Sequence, residues 1–266
     1  MNGSRLITKK TTADFDKMII AGQCVAAMHQ AVRDIAAPGV TTLDLDEAAR
    51  GVLAERGCRS SFLGYGGQDN PFPGVLCTSP NSVIVHGIPG EYTLKDGDII
   101  SIDAGAIYEG WHGDAAFTMA IGDVPDEVQL LLDVTEKALW AGIEQAVAGN
   151  RLGDIGAAVE ACAHPHGIGV VREYVGHGIG RQMHEAPSVP NYGKAGKGLR
   201  LKTGMAIAIE PMFNSGTEAS VVLDDDWTVI TADGALSAHF EHTVLLTKQG
   251  TVVSTLPEPK NVSRRT

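Results

Sequence analysis

The segment Leu94-Lys95-Asp96-Gly97-Asp98-Ile99-Ile100-Ser101-Ile102-Asp103 indicates the architecture of the chain, because a second version of it occurs 107 positions later. The second version is Leu201-Lys202-Thr203-Gly204-Met205-Ala206-Ile207-Ala208-Ile209-Glu210. Leu, Lys, Gly and two Ile recur at matching positions, and each version ends in a carboxylate. A turn signal followed by an apolar run and an acid predicts a strand that ends in a carboxylate. Because the pattern occurs twice, the two carboxylates are expected to lie at one common site. The chain is therefore predicted to contain two related halves.

Other features repeat in the same order. A His-x-x-Pro motif precedes each acid, as His86-Gly87-Ile88-Pro89 and as His184-Glu185-Ala186-Pro187. Because order and spacing agree with the repeated segment, internal duplication is favoured over a chance likeness of common elements. Caps, apolar periodicity and breakers predict four helices: from Thr11 to Pro38-Gly39, from Thr41 to about Arg56, from Pro125 to Gly149, and from about Leu152 to Ala163.

These patterns predict an α/β (α+β) protein built from pseudo-twofold halves of about 12–120 and 125–250. A loop rich in Gly and Pro is expected between Gly64 and Val75, and residues 257–266 are expected to form a loose tail. No linker separates the halves, so a single domain over 1–266 is predicted.

Composition excludes several classes of protein. The apolar fraction of 44% is sufficient for a buried core, and the net charge of −11 argues against binding nucleic acid or an anionic membrane. No apolar run reaches the roughly 18 residues of a membrane span, and Met1–Thr12 has no apolar core of a signal peptide. The four cysteines are widely spaced and form no Cys-x-x-Cys, which is typical of free thiols in a reducing cytoplasm.

Two acids, Asp103 and Asp114, flank a short turn around Tyr108-Glu109-Gly110. An antiparallel hairpin with its turn centred between Tyr108 and Glu109 would place them directly opposite, with Cβ atoms roughly 5 Å apart. Two ionised carboxylates that close are unfavourable unless one is protonated or a cation lies between them. A protonated pair, as in aspartic proteases, is the alternative, but further candidate ligands elsewhere favour the cation.

Those further ligands are His177, Glu210 and Glu241. His177 has glycines on both sides, which allow close backbone approach to a site, although a histidine among glycines is more often a turn residue. Glu210 ends an apolar strand, where burial without a partner is unfavourable. Glu241 lies in the strand-like segment Ala238–Leu246, where a charged edge-strand residue is the alternative interpretation.

Four carboxylates and one imidazole form an oxygen-rich donor set. Structural zinc sites prefer Cys and His, and EF-hand ligands lie in one short loop, so the set resembles neither. The four negative charges suffice for two divalent ions, and Mn, Fe, Co or Zn are all compatible. A two-metal site suits hydrolysis.

The residues resemble type I methionine aminopeptidases from about Ile7 to Ser254. That family has the pita-bread fold, a pseudo-twofold α/β domain around a central antiparallel sheet with a dinuclear metal site. Six motifs in the family's order carry the resemblance: Asn81–Pro89, Asp98–Asp103, Gly110–Asp114, Gly176–Arg181, Ile209–Met212 and Glu241–Thr243.

The resemblance implies a role for each candidate ligand. Asp103 would bind one metal ion, and His177 with Glu210 would bind the other. Asp114 and Glu241 would bridge both ions.

The resemblance also implies that His86 and His184 are catalytic residues on the substrate side rather than ligands. His86 would contact the substrate near its amine and its scissile amide, and His184 would hydrogen-bond the scissile carbonyl. Glu210 would relay a proton to the leaving amine.

A pocket for the methionine side chain is implied as well, lined by Tyr65, Cys77, Trp227 and Phe62. Two departures from the family's pattern fall there. Met183 stands where bacterial relatives often have an aromatic residue, and its flexible thioether would shape the wall differently. The segment Gly66–Gly74 is longer than usual and lacks the expected His after Tyr65.

The resemblance implies a hydrolase that removes the initiator methionine from nascent polypeptides and prefers a small second residue. The expected partners are nascent N-termini beginning with Met, with the ribosome as a further candidate, for a monomer in the cytoplasm. Two alternatives stay open: a proline-specific peptidase of the same fold, and a non-catalytic pita-bread module that binds peptides or ribosomes. Proline-specific relatives usually carry an extra N-terminal domain, for which 266 residues leave no room, and non-catalytic ones typically lose ligands.

Overall fold

The part of the chain that the computed structural model describes is residues 7–262. The prediction that Met1–Thr12 is no signal peptide rests partly on residues 1–6, which lie outside the described residues. Within 7–262, no helix combines the length and the apolar character needed to cross a membrane.

The four predicted helices are present, as α1 (Thr12–Ile35), α2 (Thr42–Glu55), α3 (Asp126–Gln145) and α4 (Leu152–Ala163). The capping boxes predicted for α1 and α2 are confirmed, because the Thr and Asp side chains of each box bond reciprocally to backbone N–H groups. Helix α3 ends earlier than predicted. The N–H of Ala146 donates to the carbonyl of Ile143 at 3.0 Å, a tight turn that closes the helix before Gly149.

Sixteen strands accompany the helices within residues 7–262. In the first half they are β1 (Arg59–Ser60), β2 (Leu76–Pro80), β3 (Val83–Val85), β4 (Ile99–Tyr108) and β5 (Trp111–Ala120). In the second half they are β6 (Gly169–Val170), β7 (Gly176–Gly178), β8 (Glu185–Val189), β9 (Ala206–Ile209), β10 (Met212–Asn214), β11 (Ser220–Val222), β12 (Val229–Thr231), β13 (Ser237–His239), β14 (His242–Thr247), β15 (Gly250–Val253) and β16 (Lys260–Val262).

All pairings between these strands are antiparallel. Hydrogen bonding divides the strands into four sheets: β1, β2, β4 and β5; β3, β11 and β12; β6, β10 and β13; and β7, β8, β9, β14, β15 and β16. The first and last of these sheets are joined by two backbone bonds. The N–H of Glu241 donates to Ala116 at 2.8 Å, and the N–H of Ala116 donates to Glu241 at 3.3 Å.

The hairpin of β4 and β5 has a different register from the predicted one. Its turn is formed by Glu109 and Gly110, both at positive φ, so Gly105 rather than Asp103 faces Asp114. Two-residue hairpin turns favour this left-handed backbone because it matches strand twist. Asp103 is consequently a diagonal neighbour of Asp114 on the same face, and β4 continues five residues beyond it. The prediction that Asp103 ends its strand is therefore wrong, whereas Glu210 directly follows β9.

Both halves contribute to one buried apolar cluster, which includes Met28, Ile100, Leu139 and Ile207. Burying such a side chain fully contributes about 1.5–3 kcal/mol relative to leaving it exposed. Helix α1 approaches β5 so closely that a Cβ on Gly113 would lie 2.7 Å from the backbone nitrogen of Gly22. This contact holds Gly113, the residue before Asp114, against the helix.

The chain after Pro257 departs from the sequence prediction. Lys260–Val262 forms β16, an edge strand paired with β15, so the predicted loose tail is wrong for these residues. Residues 263–266 of that tail lie outside the described residues. The loop predicted between Gly64 and Val75 is confirmed.

Candidate metal centre

All five predicted ligands line one cavity. Asp103 comes from the middle of β4 and Asp114 from the middle of β5, while Glu210 and Glu241 follow β9 and precede β14 at facing positions. Donor atoms of Asp114, His177 and Glu241 all lie within 4.8 Å of one another. The Nε2 atom of His177 is 3.5 Å from Oε1 of Glu210 and 3.9 Å from Oδ2 of Asp114.

The four carboxyl groups are crowded together, with Asp114 and Glu241 buried and Asp103 and Glu210 partly buried. Burial, followed by repulsion from Asp114, raises the pKa of Asp103 well above its usual value, and burial raises the pKa of Asp114 to about 7. Burial and neighbouring carboxylates also raise the pKa values of Glu210 and Glu241. Buried oxygens of Asp103, Asp114 and Glu241 have no hydrogen-bond partner. Unpaired buried carboxylates need protons or cations, so these residues fit a divalent metal centre.

His177, on β7, presents one ring nitrogen to this cluster. Its Nδ1 lies 2.9 Å from the carbonyl oxygen of Gly178, which leaves Nε2 as the atom that faces the carboxylates. Burial lowers the pKa of His177 to about 3, so the ring is neutral near pH 7 and able to bind a metal. The flanking glycines accommodate neighbouring strands: a Cβ on Gly176 would meet Ala208, and one on Gly178 would meet Ala186.

His86 and His184 line the same cavity but belong to none of the donor groups found among residues 7–262. His86 has a φ of 60°, an uncommon conformation for a residue other than glycine, and burial lowers its pKa to about 4. His184 packs its ring against that of His177, with centroids 4.3 Å apart. Its Nδ1 is 2.6 Å from the phenolic oxygen of Tyr65.

An apolar wall stands beside the donor cluster. Phe62, Cys77 and Met183 are buried and pack together, and Trp227 packs against them. Tyr65 is exposed near the mouth of the cavity. The structure therefore brings together every residue that the sequence placed in the substrate pocket.

Phe72 is a wall residue that the sequence interpretation missed. The long loop folds back on itself, because Gly64 N–H donates to Phe72 O at 2.9 Å and Phe72 N–H donates to Tyr65 O at 2.8 Å. The Phe72 ring thereby meets Trp227 edge-on, with ring centroids 5.3 Å apart. A single aromatic residue between Pro71 and Pro73 in a polar loop was the available signal.

Four further lining residues were also missed: Val85, Tyr174, Val175 and His239. Tyr174 packs edge-on against His86 with centroids 5.7 Å apart. His239 is buried close to Glu210, with its Nε2 3.8 Å from Oε2 of that residue. Its proximity to Glu241 in sequence was the available signal.

Comparisons with known proteins agree with this geometry. The chain matches metallopeptidase family M24 over residues 16–248. It is 45% identical to methionine aminopeptidase 1 of Bacillus subtilis (strain 168) over 92% of this chain and 97% of that protein. It is also 45% identical to methionine aminopeptidase 1 of Mycobacterium tuberculosis (strain CDC 1551 / Oshkosh), over 96% of this chain and 97% of that protein.

Solved structures of other proteins are also similar to this chain. The crystal structure of methionine aminopeptidase from Thermotoga maritima matches with a TM-score of 0.91 at 39% identity, covering 94% of this chain and 100% of that chain. A prolidase from Pyrococcus furiosus matches with a TM-score of 0.74 at 20% identity, covering 94% of this chain and 66% of that chain. The prolidase likeness shows a shared fold alone.

Proposed function

The chain belongs to metallopeptidase family M24, whose pita-bread fold it shares, and we propose that it removes the N-terminal methionine from new polypeptides. The observation that carries this proposal is the position of a cluster of four carboxylates and an imidazole at the end of an apolar pocket. Relatives with 45% identity over nearly their whole length are named methionine aminopeptidases, which supports the same activity here. A preference for a small second residue is part of the proposal.

Two divalent ions would be held by Asp103, Asp114, His177, Glu210 and Glu241, with Asp114 and Glu241 shared between the ions. Such a pair polarises a carbonyl and provides a nucleophile from water at neutral pH. The carboxylates supply four charges that balance two divalent ions. Mn, Fe, Co and Zn are all compatible with these donors.

His184 is proposed to donate a hydrogen bond to the scissile carbonyl oxygen, where negative charge develops in the transition state. Its Nδ1 is engaged by Tyr65 at 2.6 Å, so Nε2 is the nitrogen available to substrate. Glu210 is proposed to pass a proton to the leaving amine. His86, whose ring meets that of Trp227 edge-on with centroids 6.3 Å apart, would contact the substrate near its amine.

The apolar wall is proposed to receive the methionine side chain. Phe62, Phe72, Cys77 and Met183 present carbon and sulfur surface without a charged group, which suits a thioether. The Met183 side chain is itself flexible and polarisable, so it adapts to a straight substrate chain.

The proline-specific and non-catalytic alternatives gain no support from the relatives. A single assay separates the three functions. Purified protein is stripped of metal, reloaded anaerobically with Mn, Fe, Co or Zn, and offered Met-Ala-Ser or an Ala-Pro peptide. Release of free methionine is expected. Cleavage of Ala-Pro alone would indicate a proline-specific enzyme, and metal uptake with no turnover would indicate a binding module.

We further propose that the protein acts in the cytoplasm as a monomer of one domain. Nascent chains that begin with methionine emerge from ribosomes there, so the ribosome is the proposed meeting place of enzyme and substrate. Sedimentation of the purified protein alone tests whether it is a monomer, and sedimentation with ribosomes tests whether it associates with them.

A further inference from the structure

His239 is a buried histidine beside the proposed centre that the mechanism leaves unused. It is the last residue of β13, and its side chain is 2% exposed. Its Nε2 atom is 3.8 Å from Oε2 of Glu210, whereas His177 is 3.5 Å from Oε1. The carboxylate of Glu210 therefore lies between two imidazoles, one at each oxygen.

The backbone of His239 is held from two directions, so the fold fixes the point from which the ring projects. Its N–H donates to Oγ1 of Thr118 at 2.8 Å, and that hydroxyl donates back to the His239 carbonyl at 2.9 Å. Strand β13 also pairs with β10, where Met212 faces His239.

The Nε2 atom of His239 has no hydrogen-bond partner, although it is buried. A buried polar atom without a partner is unfavourable, and such atoms in native proteins are generally satisfied. The 3.8 Å separation from Glu210 is too long for an N–H···O bond, which spans about 2.7–3.2 Å. A different partner is therefore required.

A metal ion between the two groups accounts for this spacing. Nitrogen and oxygen donors bind zinc at about 2.0–2.2 Å, so two donors of one ion stand roughly 3–4 Å apart. The distances from His177 to Glu210 and to Asp114, 3.5 and 3.9 Å, bracket the His239 value. Donor atoms of Glu210, His239 and Glu241 also lie within 4.8 Å of one another.

We infer that His239 is a sixth ligand of the metal centre and binds an ion together with Glu210 and Glu241. This inference rests on the proposed function, because it assumes the metal centre of that proposal. The centre then contains two imidazoles instead of one. Imidazole suits Zn, Fe, Cu and Ni, whereas carboxylates suit Mg and Mn, so the second ring shifts selectivity toward the first group.

Nitrogen NMR of the full-length protein tests the inference without relying on activity. Metal-free protein labelled with ¹⁵N in its histidines is titrated with Zn(II), and long-range ¹H–¹⁵N spectra follow each ring nitrogen. The expected result is a metal-bound Nε2 signal for both His177 and His239. A His177 signal that moves alone, or a His239 Nε2 that carries a proton, overturns the inference and leaves the centre intact. If neither signal moves, the proposed centre itself fails.

A variant pair gives an independent measurement. His239→Gln is expected to weaken Zn(II) binding in calorimetry by about 10–100-fold for one ion. His242→Gln is the matched control, because His242 is a nearby histidine whose Nδ1 bonds to Thr255 at 2.9 Å and whose ring contacts Trp140, away from the carboxylates. Equal Zn(II) affinity in His239→Gln and wild type overturns the inference. If the variant does not fold, the spectra of the wild-type protein still show whether His239 binds the metal.

Discussion

The phenolic oxygen of Tyr65 lies 2.6 Å from Nδ1 of His184, and this contact determines which nitrogen of the imidazole faces the substrate. When the phenol donates its proton to Nδ1, a neutral ring carries its own proton on Nε2. An Nε2–H group is a donor, as the proposed role at the scissile carbonyl requires. The exposed loop residue Tyr65 thus has a positioning role beside its place at the pocket mouth.

Replacing His184 with Ala should slow the chemistry without emptying the metal centre. A donor that acts on the developing oxyanion works mainly in the transition state, so kcat should fall by about 10²–10³ with little change in KM. Metal content, measured by plasma emission, should equal that of wild type. His177→Ala provides the contrast, because it should lose metal. Depleted metal or an unimpaired kcat in His184→Ala would show that its assigned role is wrong.

Tyr65→Phe should produce a smaller defect of the same kind. The ring is retained and one hydrogen bond is lost, which corresponds to about 0.5–1.5 kcal/mol or roughly 2–13-fold in kcat. Steady-state kinetics on Met-Ala-Ser measures the effect. Because the contact positions His184, the same substitution made in the His184→Ala background should cost little more. Additive losses of kcat in the double variant would show that Tyr65 does not act through His184.

Glu241 is the carboxylate that belongs to both donor groups found in the described part of the chain. Glu241→Ala should therefore lower the occupancy of both ions and bring turnover close to background. Glu144→Ala, which removes an exposed acid from α3, is the control and should behave like wild type. Circular dichroism of the metal-free proteins checks that folding is retained. Two bound ions and normal turnover in Glu241→Ala would exclude it as a bridge.

Metal binding should release protons near neutral pH. Burial raises the pKa of Asp114 to about 7 and raises those of Asp103, Glu210 and Glu241, so the metal-free centre holds protons that an incoming ion must displace. Raised carboxyl pKa values mean that affinity increases as pH rises from 6 to 8. His177, with a pKa of about 3, is neutral throughout and releases none.

Calorimetric titration with Mn(II) in two buffers of different ionisation enthalpy counts the protons released. A buffer-independent heat at pH 7, or an affinity that does not change between pH 6 and 8, would contradict the prediction.

The sequence predicted the helices well because they depend on local signals, and the five candidate ligands that it named line one cavity. Threonine–aspartate caps and apolar periodicity act within one element, so α1 and α2 begin where expected. The relation of Asp103 to Asp114 depends on where one turn closes. The positive φ of Glu109 shifted the turn by one residue and the facing partner by two.

Phe72 and His239 show what local patterns do not reveal. Phe72 reaches the pocket through two backbone bonds inside an irregular loop. His239 reaches Glu210 because β13 pairs with β10, a contact between distant parts of the chain. Neither residue has a periodicity that marks it. The sequence signals at both residues are weak, and the tertiary structure is what places their side chains at the cavity.

Selectivity for methionine should depend on the wall that Phe72 completes. A side chain branched at Cγ is expected to clash where a straight thioether fits, and such differences are worth about 1–3 kcal/mol, or roughly 10–200-fold in kcat/KM between Met-Ala-Ser and Leu-Ala-Ser. Phe72→Ala removes a ring that contacts Phe62 and Trp227, so the pocket should admit the leucine substrate. The ratio of kcat/KM for Met-Ala-Ser to kcat/KM for Leu-Ala-Ser should then decrease. Leu63→Ala, at an exposed neighbouring position, is the control and should keep the wild-type ratio. Equal kcat/KM for the two peptides in the wild-type enzyme would exclude this wall as the methionine pocket, and an unchanged ratio in Phe72→Ala would exclude Phe72 from it.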